Sequence, residues 1–346
     1  MKAILFCTEP YDFAILKPLA EALVKRGDTY LWYVLPKLFN AFPYKSMIHT
    51  NSLELVETFE ADAIFTPSND LPYWLRGVKV QLFHGLSRDN DAYFELCDCF
   101  DLYATPSPYY TEQFAPLAEK EHRFEVVETG WSKLDALFAQ NEHLNDRREA
   151  LLKAHGATAL ILYAPTFAPE LSSAMALQET LHKLADREEI VVLLKFHTKT
   201  PPETLTSYQA LEHPHIVIVE ESDVLPSMQM ADLMISDTSS VVYEFLLLNK
   251  PLLTYKSQAA SITWTNYTQA QEIYLKVIRT LQQQTQTLNR QRTKTIAQYH
   301  PYSDGEASVR VIEATESYIA THGVPEERKL PLLQKWKVSR KYKKLR

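Results

Sequence analysis

Short apolar runs alternate with amphipathic stretches along most of the chain, and the alternation starts twice. The first series reads KAILFCT, TYLWYVL, ADAIFT, KVQLFHG, FDLYAT and FEVVETG, with a helical stretch from Phe13 to Lys25 after the first run. The second follows a charged helix from Leu144 to His155 and reads ATALILYAPT, EIVVLLKFHT, HIVIVEES, ADLMISDTSS and KPLLTYK. Strands that alternate with helices predict parallel sheets covered by helices on both faces. A chain of 346 residues accommodates two such domains. The expected fold is therefore α/β, with two Rossmann-like doubly wound domains facing a cleft. Their bounds are placed at 1–143 and 144–325, with a tail at 326–346. A polar, glutamine-rich helical region from Tyr267 to Gln298 precedes a last helix within HPYSDGEASVRVIEATESYI, which is able to pack back on the first domain. Ligands of such sheets sit beyond the carboxyl ends of the strands.

Composition excludes several alternatives. The seven glycines form neither a GxGxxG nor a Walker-type loop. Cys7, Cys97 and Cys99 make no disulfide framework and fit a reducing, cytoplasmic setting. The opening MKAILFCTEPYDF reads as a first buried strand rather than a signal peptide, and no apolar run approaches a transmembrane span. The net charge of −7 is unevenly spread, because KWKVSRKYKKLR at 335–346 holds only cations. The body is correspondingly more acidic and a poor partner for nucleic acid.

Polar residues gather where the strands end: His84-Gly85, Pro165-Thr166, Lys195-Phe196-His197-Thr198-Lys199, and Ser236-Asp237-Thr238-Ser239-Ser240. The last block precedes an apolar helix, whose first turn offers N–H groups and a positive dipole end to a phosphate. Thr238 or Ser239 as a plain N-cap is the alternative. Ser239 or Ser240 to Glu244 has the wrong spacing for a capping box. His84, before a glycine, is either a base near neutral pH or a hydrogen-bonded structural imidazole. His197 lies between Lys195 and Lys199, which suits contact with a phosphate or leaving-group oxygen better than base work. A solvated charged loop is the alternative. No cluster with metal-ligand spacing is evident.

In order, these segments resemble the CDP-glycerol glycerophosphotransferase family, which includes teichoic-acid primases and polymerases. The resemblance rests on HG, YAPT, KFH, ISDTSSVVYEFLLLNKP and DGEASVRV, together with Thr129-Gly130-Trp131-Ser132-Lys133-Leu134-Asp135, and covers roughly residues 80–312. It implies a GT-B fold, with an acceptor-side first domain and a second domain that binds the CDP donor. It also implies metal-independent transfer of an alditol phosphate from CDP-glycerol or CDP-ribitol to a glycan or lipid-linked acceptor, with release of CMP and no cofactor. By position, the resemblance makes His84 the base and gives His197 the donor's pyrophosphate and the leaving CMP. Thr166, Lys195, Asp237, Thr238, Ser239 and Ser240 would bind pyrophosphate or nucleotide, with Gly85, Arg88, Asp304 and Arg310 in support. Departures from the family pattern fall at Leu86-Ser87-Arg88 after His84-Gly85, at Thr198, at Thr238 and at Glu244. They leave the acceptor and the alditol open, with a cell wall, a capsule or a lipopolysaccharide as the alternatives for the product.

In the tail, Val338, Tyr342 and Leu345 share one helical face amid Lys335, Trp336, Lys337, Arg340, Lys341, Lys343, Lys344 and Arg346. This pattern predicts a peripheral contact with anionic lipid on the inner face of the cell membrane. A solubilising tail is the alternative. For the chain as a whole, the competing functions are a nucleotide-sugar glycosyltransferase or epimerase on the same fold, and a non-catalytic nucleotide- or glycan-binding protein.

Overall fold

The computed structural model describes residues 1–69, 71–86, 96–139, 142–221, 223–259, 262–283 and 290–342, with backbone alone at 283 and 290–292. Arg88, Lys343, Lys344, Leu345 and Arg346 lie outside the described residues. The chain divides into two compact units. One is built from Met1–Gly85, Asn90–Ala139 and Gln298–Arg346, the other from Leu86–Asp89 and Gln140–Ala297. The helix Ala307–His322 thus belongs to the first unit, and its Val311 and Ile312 pack into that unit's core.

The first unit holds β1 (Lys2–Cys7), β2 (Thr29–Val34), β3 (His49–Thr50), β4 (Ala63–Thr66), β5 (Val78–Gln81), β6 (Leu102–Thr105) and β7 (Glu125–Glu128). They form one parallel sheet in the order β3-β2-β1-β4-β5-β6-β7. Strand side chains alternate between two buried faces, which is why the runs are continuously apolar. Leu5, Cys7, Trp32 and Val34 pack on one face with Leu16, Val80, Val311 and Ile312. Ile4, Phe6, Leu31 and Tyr33 pack on the other with Leu71, Val338 and Tyr342. The strand order reverses between β1 and β4, so the crevice for a ligand is expected where Thr8–Asp12 and Pro67–Ser68 leave the sheet.

The second unit repeats the plan with β8 (Ala159–Tyr163), β9 (Ile190–Leu194), β10 (Ile216–Ile218), β11 (Leu233–Ser236), β12 (Leu252–Tyr255) and β13 (Thr265–Tyr267). All are parallel, in the order β10-β9-β8-β11-β12-β13. Its core joins Ile161, Val192, Leu194 and Ile235 to Leu177 and Leu181 of the helix Ala174–Ala185, and to Ile273 and Val277 of the helix Ala270–Gln283. Here the order reverses between β8 and β11, beside Pro165-Thr166 and Asp237–Ser240. The fold is α/β with two Rossmann-like, doubly wound sheets.

The tail departs from its expected use. Residues Leu332–Tyr342 are helical, but Tyr342 is fully buried and Val338 nearly so. The Tyr342 ring stands edge-on to Phe6 at 5.8 Å. The face expected to meet lipid is therefore spent on the core of the first unit. Leu332, Leu333 and Trp336 are left in solvent at 86%, 67% and 58% exposure, with Lys337, Arg340 and Lys341 also exposed.

Candidate active site

In the first unit, β5 is followed by Leu82-Phe83-His84, and Leu82 N–H extends the ladder to Thr66 O at 3.0 Å. His84 is half-buried against Tyr11, with ring centroids 5.7 Å apart. Its Nδ1 is 3.3 Å from Pro67 O. A carbonyl only accepts, so Nδ1 carries the proton and the lone pair lies on Nε2. Burial pushes the imidazole pKa below its ordinary value, while the Pro67 bond works the other way. Gly85 offers its carbonyl to the Tyr110 hydroxyl at 3.2 Å.

In the second unit, the Lys195–Lys199 turn leaves β9. His197 Nδ1 accepts the Lys199 N–H at 3.0 Å. The proton must then sit on Nε2, the tautomer opposite to that of His84. The ring lies against Phe167 at 4.6 Å, and Lys199 stands over the same Phe167 ring. Partial desolvation first, then Lys199 and Lys195, holds the His197 pKa below its usual value. His197 is therefore a neutral N–H donor at neutral pH. Lys195 is buried and donates to Phe196 O at 3.1 Å. Burial lowers its pKa, and Asp223 and Glu221 oppose the shift.

The Asp237–Ser240 turn separates into two roles. Asp237 is buried and faces the protein, accepting from Thr166 N at 2.8 Å, Ser173 N at 2.7 Å and Ser173 Oγ at 2.7 Å. Burial raises its pKa, and these bonds lower it. The carboxylate pins the half-buried Thr166 beside the turn. The Thr238 hydroxyl accepts Gln258 N–H at 3.0 Å. Ser239 is half-buried and Ser240 exposed. Ser240 occupies the N-cap of Val241–Leu247 with helical dihedrals and makes no side-chain cap bond. The cap expected at Thr238 or Ser239 is thus not how the helix starts. The helix has only seven residues, a short run of aligned peptides.

Asp304 and Arg310 serve the first unit. Arg310 Nη1 meets Asp304 at 2.8 Å, its Nε donates to Thr129 O at 2.7 Å, and the guanidinium covers Tyr302 at 4.2 Å. Asp135 accepts Ala307 N–H at 2.8 Å and Ser308 N–H at 2.7 Å, capping the helix Ala307–His322 from a distant segment. Gly130 sits in this knot at φ +80, where a Cβ would come within 3.0 Å of Tyr302 and 3.1 Å of His300. His300 is buried, accepts Trp131 N–H through Nε2 at 3.0 Å and donates through Nδ1 to Tyr302 O at 2.7 Å. Burial pushes its pKa down to about 4.

Sequence reasoning missed Ser173, Gln258, Pro67 and His300, whose partners are supplied by other strand ends. Among the described residues, one group has the side chains for a metal: His182, Asp186 and His213, with donor atoms within 4.8 Å of one another. His213 Nδ1 accepts His215 N–H at 3.1 Å, which places the proton on the Nε2 that faces Asp186. A metal ligand needs that nitrogen unprotonated, so these residues do not fit an ion as they stand.

The profile of the CDP-Glycerol:Poly(glycerophosphate) glycerophosphotransferase family matches residues 77–317, and the chain belongs to this family. It is 28% identical over 159 residues to the teichoic acid ribitol-phosphate polymerase TarK of Staphylococcus aureus, covering 44% of this chain and 30% of TarK. It is 33% identical over 100 residues to the teichoic acid glycerol-phosphate primase of Bacillus subtilis (strain 168), covering 28% of this chain and 25% of the primase. The matches thus span about a quarter to a third of these relatives. In structure, the chain is similar to the wall teichoic acid polymerase TagF, with a TM-score of 0.67 at 18% identity, covering 93% of this chain and 89% of that one. A UDP-GlcNAc 2-epimerase from Neisseria meningitidis gives 0.63 at 16% identity, covering 92% and 100%. At these identities the likeness is one of fold.

Proposed function

We propose that the chain transfers an alditol phosphate, glycerol phosphate foremost, from a CDP-linked donor to a hydroxyl of a glycan or lipid-linked acceptor during synthesis of a cell-surface polymer. The observation that carries this reading is the family match over residues 77–317, and the tautomers that the backbone sets on His84 and, separately, on His197 suit it. His84 presents a lone pair on Nε2 and takes the acceptor's hydroxyl proton as the new O–P bond forms. The bond from that phosphorus to the bridging oxygen breaks, and its electron pair leaves with CMP. His197 presents Nε2–H and donates to the departing phosphate. Lys195, Thr166, Ser239 and Ser240 supply positive potential and hydroxyls to the diphosphate, the main requirement of phosphoryl transfer. Family membership favours this chemistry over the nucleotide-sugar reading, which shares the fold. Ribitol phosphate is the second choice of transferred group, in keeping with the name of the TarK relative.

The test is a donor screen with CDP-glycerol, CDP-ribitol and UDP-sugars, scoring CMP and UDP release with and without a chelator. CMP release, unaffected by the chelator, is expected. UDP release would move the chain to the nucleotide-sugar class. His84→Ala should lower turnover about 10²–10⁴-fold while calorimetry still records donor binding. His197→Ala and Ser239→Ala should weaken donor binding itself.

The tail supports a site of action at a membrane surface. Among the described residues no helix is long and apolar enough to cross a membrane. Leu332, Leu333 and Trp336 stand in solvent beside Lys337, Arg340 and Lys341, a combination that favours an anionic bilayer surface. The chain works at the cytoplasmic face of the membrane, held there by this outer face of the helix.

A further inference from the structure

His84 owes its tautomer to a carbonyl on a different strand end, and one buried amide fixes the distance between the two. Gln81, the last residue of β5, is 2% exposed. Its Oε1 accepts Phe83 N–H at 2.8 Å. Its Nε2 donates to Ser68 O at 3.0 Å and to Asn69 Oδ1 at 2.9 Å. Phe83 has φ 60, a left-handed conformation that a bulky L-residue adopts only under constraint. The bond to its N–H stabilises the bend that delivers His84. Ser68 follows Pro67, whose carbonyl receives the His84 Nδ1–H. Ser68 is also held from behind, since its Oγ donates to Asp12 Oδ2 at 3.3 Å. That oxygen is itself anchored by the N–H groups of Thr8 and Glu9 at 2.8 and 3.0 Å.

We propose that Gln81 is a positioning residue: by bridging the Phe83 amide to the Ser68 carbonyl it keeps Pro67 O against His84 Nδ1 and so holds the imidazole in the tautomer with its lone pair on Nε2. Asp12 steadies Ser68 behind it. The proposal rests on His84 acting as the base and adds what makes it one. Without the clamp the Nδ1–H bond is no longer enforced. The imidazole then exchanges into the Nε2–H form, which cannot take a proton at that nitrogen.

The experiment compares the wild-type chain with Gln81→Leu and Gln81→Glu, all labelled with 15N-histidine, with the His84 signals assigned by their loss in His84→Gln. Gln81→Glu matches glutamine in size and keeps an oxygen for Phe83 N–H, but loses the donor to Ser68, so it carries the test if Gln81→Leu does not fold. The wild type is expected to show His84 protonated at Nδ1. The variants should show a shifted tautomer mixture, a kcat lower by about ten- to a hundredfold, and a KM for CDP-glycerol within about twofold. An unchanged His84 tautomer in a folded variant, or a loss that falls on KM instead of kcat, overturns the proposal. A shifted tautomer with undiminished kcat supports the clamp and removes the base role from His84, which separates the two failures.

Discussion

Two histidines with the same side chain are held in opposite tautomers by single backbone groups. A carbonyl fixes a lone pair on one Nε2, and an amide N–H fixes a proton on the other. This gives a pH prediction. Burial holds the His84 pKa down, so the base form persists below the pH at which an ordinary histidine, near 6.5, would be protonated. The acid limb of kcat/KM is expected to have its midpoint below about 6.5, with no further gain through neutrality. An acid limb centred above that value would mean that His84 is not the group titrating. The histidines themselves were legible in the sequence because they sit at strand ends, but their tautomers were not. Pro67 lies 17 residues from His84, and no local pattern joins them. Asp237 shows the same limit: the resemblance set it among the donor-binding residues, and its bond to Ser173, 64 residues away, was not legible in the sequence.

Among the elements, the helix Ala307–His322 depends on a cap borrowed from another part of the chain. Asp135 takes the N–H groups of both Ala307 and Ser308, the service that an N-cap side chain usually performs locally. Asp135→Ala should lower the stability of the first unit by about 1–2 kcal/mol. This would be read as a lower denaturant midpoint with an unchanged slope, and a midpoint equal to that of the wild type would contradict it. Most strands were readable from composition, since a run such as Ala3–Cys7 is buried on both faces and has no polar position to interrupt it. The edge strands β3 and β13 were not readable. They span two and three residues, include His49, Thr265 and Asn266, and are strands only because a neighbour offers a ladder. Periodicity correctly grouped Val338 with Tyr342, but it cannot say which surface an apolar face will meet, and here the surface is Phe6 and its neighbours.

For the whole molecule, that inward face changes how membrane association must be probed. Deleting the tail helix would remove Tyr342 and Val338 from the core, and truncating a buried aromatic alone costs about 3–5 kcal/mol. Substitution of the outer face is the clean test. The triple change Lys337→Glu, Arg340→Glu, Lys341→Glu should leave the melting temperature within a few degrees and abolish sedimentation with anionic vesicles, since each cation near such a surface contributes about 1 kcal/mol. Unchanged sedimentation would end the membrane reading. The division of the chain has a further consequence, for synthesis. The first unit needs Val311 and Ile312 against Leu5, Leu16 and Val80, so a ribosome must read past the entire second unit before the first can close. The body begun first is completed last. Until then the part of its apolar sheet face that Val311 and Ile312 cover waits for a helix not yet made, with Leu16 and Leu19 of the early helix already beside it.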